Sequence, residues 1–225
     1  MNRRVSIIVP TLQEAGTVGA LLDDLQALRA AGHEVIVVDG GSSDDTLALA
    51  APACDRLLHC PPGRAVQMNA GAAVAGGDIL WFIHADTRLP ASAMRAIEAA
   101  SEAGAGWGRF DIRLSGSRTG FRLIETLINL RSRLTGIATG DQGLFVSREL
   151  FDTVGGYPAI ALMEDVALSK SLLRHGRPAC LHDRLTTSSR RWEHRGMWRT
   201  VVLMWRLRLA YALGADPDTL AERYR

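Results

Sequence analysis

At 225 residues the chain is long enough to bury roughly 70–75% of its extended surface, so it can support its own core. Apolar residues make up 47% and charged residues 22%, a balance that excludes an intrinsically disordered chain. A formal net charge of +2 is too small to recruit nucleic acid by electrostatics.

The three cysteines, Cys54, Cys60 and Cys180, match neither a disulfide framework nor a paired zinc-ligand pattern. The opening MNRRVSIIVPTLQE has only a five-residue apolar run before Pro10, too short for a secretory signal. No stretch approaches the roughly 18 apolar residues of a membrane-spanning helix. The expected location is the cytosol.

Val5–Val9 reads as a buried strand, and Val18, Leu21, Leu22, Leu25 and Leu28 recur at helical spacing until Gly32. Val35–Val38 is a second strand, Asp44–Ala51 a short helix, Arg56–His59 a short strand and Ala65–Ala75 a small-residue helix. Ile79–Ile83 is a further strand, and Pro90 opens a helix to about Ala103. Strands alternating with helices predict βαβ units and a mostly parallel sheet.

Beyond residue 103 the rhythm changes. Trp107–Leu114 and Gly143–Ser147 read as strands on either side of an amphipathic helix, Arg118–Leu134. On that helix Arg118, Arg122, Glu125, Asn129 and Arg133 form a polar stripe and Leu123, Leu127, Leu130 and Leu134 face away. Asp165–His175 is a helix, Ala179–Leu181 and Leu185–Ser189 are strands, and Met197–Leu213 is a long apolar helix. With no repeat or linker, residues 1–225 read as one α/β domain. It has a nucleotide-type half (1–103), an acceptor-type half (104–195) and a C-terminal helical segment (196–225).

In an open α/β sheet, ligands bind beyond the carboxyl ends of the strands. Three polar clusters fall at such ends: Thr11–Glu14, Asp39–Asp45 and His84–Asp86. Taken singly, Asp39 and Asp44 also suit turn and helix capping; three clusters converging on one crevice favour a ligand site. The common nucleotide signatures are missing, since neither a P-loop nor a GxGxxG after the first strand occurs.

The motifs resemble the family-2 glycosyltransferases, which have the GT-A fold. The carriers are SIIVPT with Glu14, VVDGGSSDDT around Asp39, RAVQMNAG from Arg64, and IHAD in the place of the family's DxD. Gly155-Gly156-Tyr157 and Glu164-Asp165 follow. Arg109-Phe110-Asp111, Thr139–Gly143 and Ser189–Trp192 resemble the radical-SAM/selenodomain-associated subgroup.

The resemblance implies a metal-dependent inverting transfer from a nucleotide-sugar donor to an acceptor hydroxyl, with Mn²⁺ or Mg²⁺ as cofactor. Asp86 is the metal-ligating position. His84, standing where the family has the first aspartate, either joins the cation or hydrogen-bonds the ribose. Asp39 contacts the nucleoside, and Thr11 and Glu14 line its pocket. Arg64 offers charge to the diphosphate, or is a solvated residue at a helix start, and Gln67 and Asn69 lie nearby. Asp165 is the general base with Glu164 beside it, while Asp141 and Gln142 reach the acceptor or sugar.

Arg190, Arg191 and Trp192 frame the phosphate and acceptor region, or else Trp192 packs in the core. His182 and His194 are further candidate late ligands. The alternatives are a nucleotidyltransferase, whose glycine-rich arginine loop is absent after the first strand, and a catalytically lapsed nucleotide-binding or membrane-docking module. Arg195, Arg199 and Arg206 cluster within about 40° on the last long helix. That edge suits anionic lipid and a lipid-linked acceptor; packing on the sheet or in a homodimer is the favoured account of the helix.

Overall fold

The structure is a computed structural model and describes residues 3–190, 193 and 196–224. In its first half, strands Val5–Thr11 (β1), Glu34–Asp39 (β2), Arg56–His59 (β3) and Ile79–Phe82 (β4) alternate with helices Val18–Ala30 (α1), Thr46–Ala50 (α2) and Arg64–Val74 (α3). Then come Ala93–Glu102 (α4), Trp107–Leu114 (β5), Thr119–Thr135 (α5), a 3₁₀ turn at Gly140–Gln142, Phe145–Ser147 (β6) and Arg148–Thr153 (α6). Glu164–Leu173 (α7), Ala179–Thr187 (β7), Met197–Ala212 (α8) and Pro217–Tyr224 (α9) complete the chain.

The strands form one sheet in the order β3-β2-β1-β4-β6-β5-β7. Only β6 runs against its neighbours. The mostly parallel α/β architecture read from the sequence is therefore present. The strand runs are nearly continuous in apolar residues because helices cover both faces. Val5, Ile7 and Val9 pack with Leu21, Leu22 and Leu25 of α1, whereas Ile8 turns to the other face with Met68 and Ala72 of α3. Gly71 of α3 sits where a Cβ would come within 2.5 Å of the Ile8 side chain, so the small-residue run allows α3 to lie close on β1.

Three features differ from the sequence reading. Ala179–Leu181 and Leu185–Ser189 are one strand, β7, whose register against β5 jumps between Phe110 and Asp111. That bulge lets a single strand carry residues of two periodic phases. Helix α6 has no counterpart in the sequence reading, and the expected C-terminal helical segment is divided into two helices, α8 and α9.

The third difference is the orientation of α5. Its leucines, Leu123, Leu127, Leu130 and Leu134, are exposed, and Glu125, Asn129 and Ser132 of the polar side are buried with Phe121 and Ile124. The cause lies in β5, which pairs with β6 only at Trp107 and Gly108. Its remaining edge has peptide groups that a strand does not cover, and buried peptide groups must be paired.

Side chains of α5 take the place of a strand. Asn129 accepts from Ile112 N (2.9 Å) and donates to Ile112 O (3.1 Å). Glu125 accepts from Leu114 N (2.5 Å), and Arg122 donates to Leu114 O (2.8 Å). Asn129→Leu is accordingly expected to destabilise the protein by about 2–4 kcal/mol, since two buried peptide groups lose their partners. Leu127→Ser should change stability by less than about 0.5 kcal/mol. Urea unfolding of the two variants checks both values, and equal losses would refute this packing.

Candidate active site

The carboxyl ends of β1, β2 and β4 lie side by side, so the three polar clusters do share one edge. The loop after β1 is tied to the loop after β2. Gln13 accepts from Ser43 N (3.1 Å) and donates to Ser43 Oγ (2.8 Å), and Glu14 N donates to Thr46 Oγ1 (2.8 Å). Gln13 holds a left-handed backbone (φ 58°), as does Met163 (φ 70°) directly before Glu164. Non-glycine residues in that region are costly and concentrate at functional sites. Sequence reasoning passed over both, because neither side chain advertises its backbone angle.

Several expected ligand contacts prove to be braces of this edge. Asp39 is fully buried, accepting from Thr11 Oγ1 (3.0 Å), Ser42 Oγ (2.5 Å), Gly41 N (2.8 Å) and Ser42 N (2.7 Å). Those hydrogen bonds hold its carboxyl below the ordinary range against the opposing effect of burial. Asp39 and Thr11 thus shape the loop at residues 40–43 from beneath. Gln67 donates to Thr11 O and Val38 O (2.8 Å each). Asn69 clasps Tyr157, donating to its carbonyl (2.8 Å) and accepting from its N–H (2.9 Å), which fixes the Gly155-Gly156 turn.

Gln142, expected to reach the acceptor or sugar, is instead fully buried. Its Oε1 accepts from Thr139 N (3.1 Å) and Thr139 Oγ1 (3.2 Å), closing the 3₁₀ turn. The turn needs both bonds, and its amide has no access to a ligand. Asp141 on the same turn is partly exposed.

The groups left facing the crevice are mainly charged. Asp86 Oδ1 is out of solvent contact with no hydrogen-bond partner. Burial raises the Asp86 pKa, Glu14 and Asp141 add to the rise, and Arg190 and Arg64 oppose it. Asp86 lines a cleft of about 180 Å³ with Thr17, Ser115, Thr187 and Ser188. Glu14 accepts from Thr17 Oγ1 (2.6 Å), and Arg190 Nη2 stands 3.8 Å from Glu14 Oε2. Arg191, Trp192, His194 and Arg195 lie outside the described residues. His182 meets Arg133 at 3.1 Å on the far strand β7.

His84 opens into a different pocket from Asp86, one shared with Gly140, Tyr157, Glu164 and Asp165. The backbone turns between the two, with Thr87 N donating to His84 O (3.1 Å). Burial and then the Arg64 charge push the His84 pKa down to about 3, so its imidazole is neutral at ordinary pH. A Cβ on Gly140 would lie 2.6 Å from His84 Nε2, and only glycine permits this approach.

Asp165 accepts from Gly140 N (2.8 Å) and from Val166 N (2.7 Å). Burial raises its pKa, and those two N–H groups, Arg208 and Arg64 pull it back. Glu164 has a pKa raised to about 7 by burial and then by Asp165. Arg64, exposed at the start of α3, is the common counter-charge: its field acts on His84, Asp86, Glu164 and Asp165 alike.

The model of the family described as "Glycosyl transferase family 2" matches residues 6–151. The chain belongs to that family. It is 34% identical over 114 residues to an uncharacterized glycosyltransferase of Mycobacterium tuberculosis, an alignment covering 44% of this chain and 41% of the relative. The chain therefore spans well under half of the length of that curated relative. Among solved structures it resembles S. aureus TarS in complex with UDP-GlcNAc, with TM-score 0.67, 18% identity and coverage of 82% of this chain and 58% of that one. It also resembles the mannosyltransferase PcManGT from Pyrobaculum calidifontis in complex with GDP-Man and Mn²⁺, with TM-score 0.67 and 22% identity. That match covers 99% of this chain and 69% of the other. Both likenesses are of fold, and the GT-A fold implied by the motifs is the one observed.

The Glu164 carboxyl supplies a pH test. Its folded pKa of about 7 lies above its ordinary 4.5, so the stability linked to its proton is complete below about pH 4.5 and lost as pH rises through 7. Glu164→Gln removes the titration. Its stability advantage over the native chain should grow by roughly 3 kcal/mol at most between pH 4.5 and pH 8. Unfolding free energies that keep a constant difference across this range would contradict the buried, proton-holding carboxyl.

Proposed function

We infer that the chain transfers a glycosyl unit from a nucleotide-sugar donor to an acceptor hydroxyl, inverting the anomeric carbon, with Mn²⁺ or Mg²⁺ as cofactor. The observation that carries this reading is the shared field of Arg64, which reaches the unpartnered carboxylate of Asp86 and the Glu164–Asp165 pair together. A diphosphate and a hydroxyl brought to one crevice would meet those groups.

The cation fits an observation at Asp86. A buried carboxylate oxygen without a donor, crowded by Glu14 and Asp141, is relieved by a hard cation. Among the described residues no group of three or more His, Cys, Asp or Glu side chains could hold a metal ion by itself. Asp86 would hold the ion, with diphosphate oxygens and water completing the shell, as is usual for Mg²⁺ in phosphate sites. Such an ion supplies neutralisation of the charge that develops on the departing diphosphate. His84 sits with the carboxylate pair rather than with Asp86, which supports a role toward the sugar or acceptor.

Arg64 and Arg190 add fixed positive charge on the diphosphate side. On the acceptor side Asp165 takes the hydroxyl proton as that oxygen bonds to the anomeric carbon and the bond to diphosphate breaks. The Gly140 and Val166 N–H groups keep Asp165 oriented and lower its pKa, and Glu164, partly protonated near neutrality, can donate a hydrogen bond beside it. The Arg109-Phe110-Asp111 and Thr139–Gly143 segments support placing the chain in the radical-SAM/selenodomain-associated subgroup.

A cytosolic membrane surface is the setting that the helices support. On α8, Val202, Trp205, Leu209 and Leu213 are exposed in one stripe, edged by the exposed Arg199 and Arg206 about 20° apart. α5 adds its four outward leucines, and its only acid, Glu125, is buried and paired with Arg122. Apolar stripes with an arginine edge complement anionic lipid. Among the described residues no helix is long and apolar enough to cross a membrane.

Asp165→Asn is expected to lower sugar-nucleotide turnover by about 10²-fold or more while nucleotide affinity stays within twofold of native, about 0.4 kcal/mol. Chelation should abolish turnover, and Mn²⁺ or Mg²⁺ should restore it. Turnover untouched by either treatment would reject the mechanism. For the membrane setting, flotation with phosphatidylglycerol vesicles should occur at low salt and weaken at high salt. No flotation at either salt, with dimers in sedimentation, would assign the stripes to a second copy instead.

A further inference from the structure

Two arginines from neighbouring helices both interact electrostatically with Asp165. Arg131 lies on α5 and Arg208 on α8. These helices are neighbours through Ile124, Ile128, Met197 and Val201. Arg131 Nε, Arg131 Nη2 and Arg208 Nε are out of solvent contact and have no hydrogen-bond partner. Arg131 spends Nη1 on Ile137 O at 3.4 Å, a long bond. Neither arginine stands among the ion pairs of the described residues.

Buried donors without acceptors are rare in folded proteins and ask for an explanation. Here two like charges add to the cost. Burial first, then Arg208, push the Arg131 pKa down to about 10, while Asp141 and Asp165 pull it up. Arg208 acts favourably on Asp165 in turn. The pair thus sits within electrostatic reach of the proposed base. It is distinct from Arg64 and Arg190, the two cations that act on Asp86.

We propose that Arg131 and Arg208 form a subsite for a phosphoryl group carried by the acceptor, which places the acceptor hydroxyl beside Asp165. A phosphate monoester has the oxygens to occupy several guanidinium N–H groups and close to two negative charges at neutral pH, so it answers both deficits. A carboxylate would neutralise only one of the two cations. The assignment rests on Asp165 as the acceptor-side base. The phosphoryl group belongs either to a soluble phosphate monoester or to a lipid phosphate presented at the leucine-faced side of α5 and α8.

The test uses the full chain with inorganic phosphate as probe, titrated by calorimetry in the presence and absence of saturating UDP or GDP with Mn²⁺. Phosphate should still bind when the nucleotide is bound. Its affinity should fall at least about tenfold in both Arg131→Gln and Arg208→Gln, and it should be unchanged in the exposed control Arg113→Gln. Arg131→Lys, which keeps the charge but loses the fork, should fall between native and Arg131→Gln. If a Gln variant does not fold, the phosphate-induced rise in native Tm and the Arg131→Lys titration decide the matter.

Phosphate that competes with the nucleotide, or that binds equally well to the arginine variants, would overturn the subsite. So would a native chain with neither heat of binding nor a Tm rise. Failure of UDP and GDP to bind would count against the transferase reading, and the phosphate titration alone would still report on the arginine pair. Phosphatidylcholine vesicles doped with phosphatidic acid identify the source. Capture by these that is lost in the Arg131 and Arg208 variants, where capture by phosphatidylglycerol vesicles is not, assigns a lipid phosphate; phosphate binding without such arginine-dependent capture assigns a soluble acceptor.

Discussion

Burial of carboxylates that also repel one another, at the carboxyl edge of the sheet, is the constraint on which the site depends. Burial first, and then Glu14 and Asp141, destabilise Asp86 as an anion; burial and then Asp165 do the same to Glu164. Their common counter-charge, Arg64, is exposed. Side chains so placed would separate if their backbones were free to move. They are held by a scaffold whose own polar groups are fully engaged, with Asp39 fixing the loop after β2, Gln67 tying β1 and β2 to α3, and Asn69 fixing the turn before α7. Saturated hydrogen bonding in the frame and unmet demand in the crevice are complementary features, since a ligand can supply only what the frame leaves open.

Backbone conformation follows the same division. Among the described residues the two non-glycine positions with positive φ are Gln13, in the loop after β1, and Met163, directly before α7. Gln13 retains its conformation through bonds to Ser42 and Ser43, and Met163 through its burial in the cluster with Leu162, Val166 and Leu207. α8 and α9 contribute to that cluster, so the C-terminal helices support the turn that presents Glu164 and Asp165. The exposed apolar stripe of α8 and the turn that carries Glu164 and Asp165 are thereby parts of one packed unit.

Much of the first hundred residues was legible in the sequence because parallel strands covered on both faces must be apolar runs, and the turns after them are punctuated by Pro10, Gly40-Gly41 and Pro90. The Asp86 and Asp165 positions were legible through their motifs. What the motifs did not reveal is which carboxylates remain unpaired. Asp39 and Asp86 look alike as acids at strand ends, yet four donors surround one and Oδ1 of the other has none. Likewise Gln142 reads as a polar residue in a site motif, and it is consumed by its own turn.

The sequence by itself determined the alternation of strands and helices, the acidic strand ends and the family, since each depends on local pattern and short motifs. The tertiary structure decided the inversion of α5, the joining of β7 through a bulge, and the electrostatic coupling of Arg131 with Arg208. Hydrophobic periodicity assigns the apolar stripe of a helix to the core. On α5 that preference is overridden by the peptide groups of β5, whose bonding needs appear only once it is known which strand lies beside them. Long-range pairing of this kind is a property of the assembled sheet, so no window along the chain contains it.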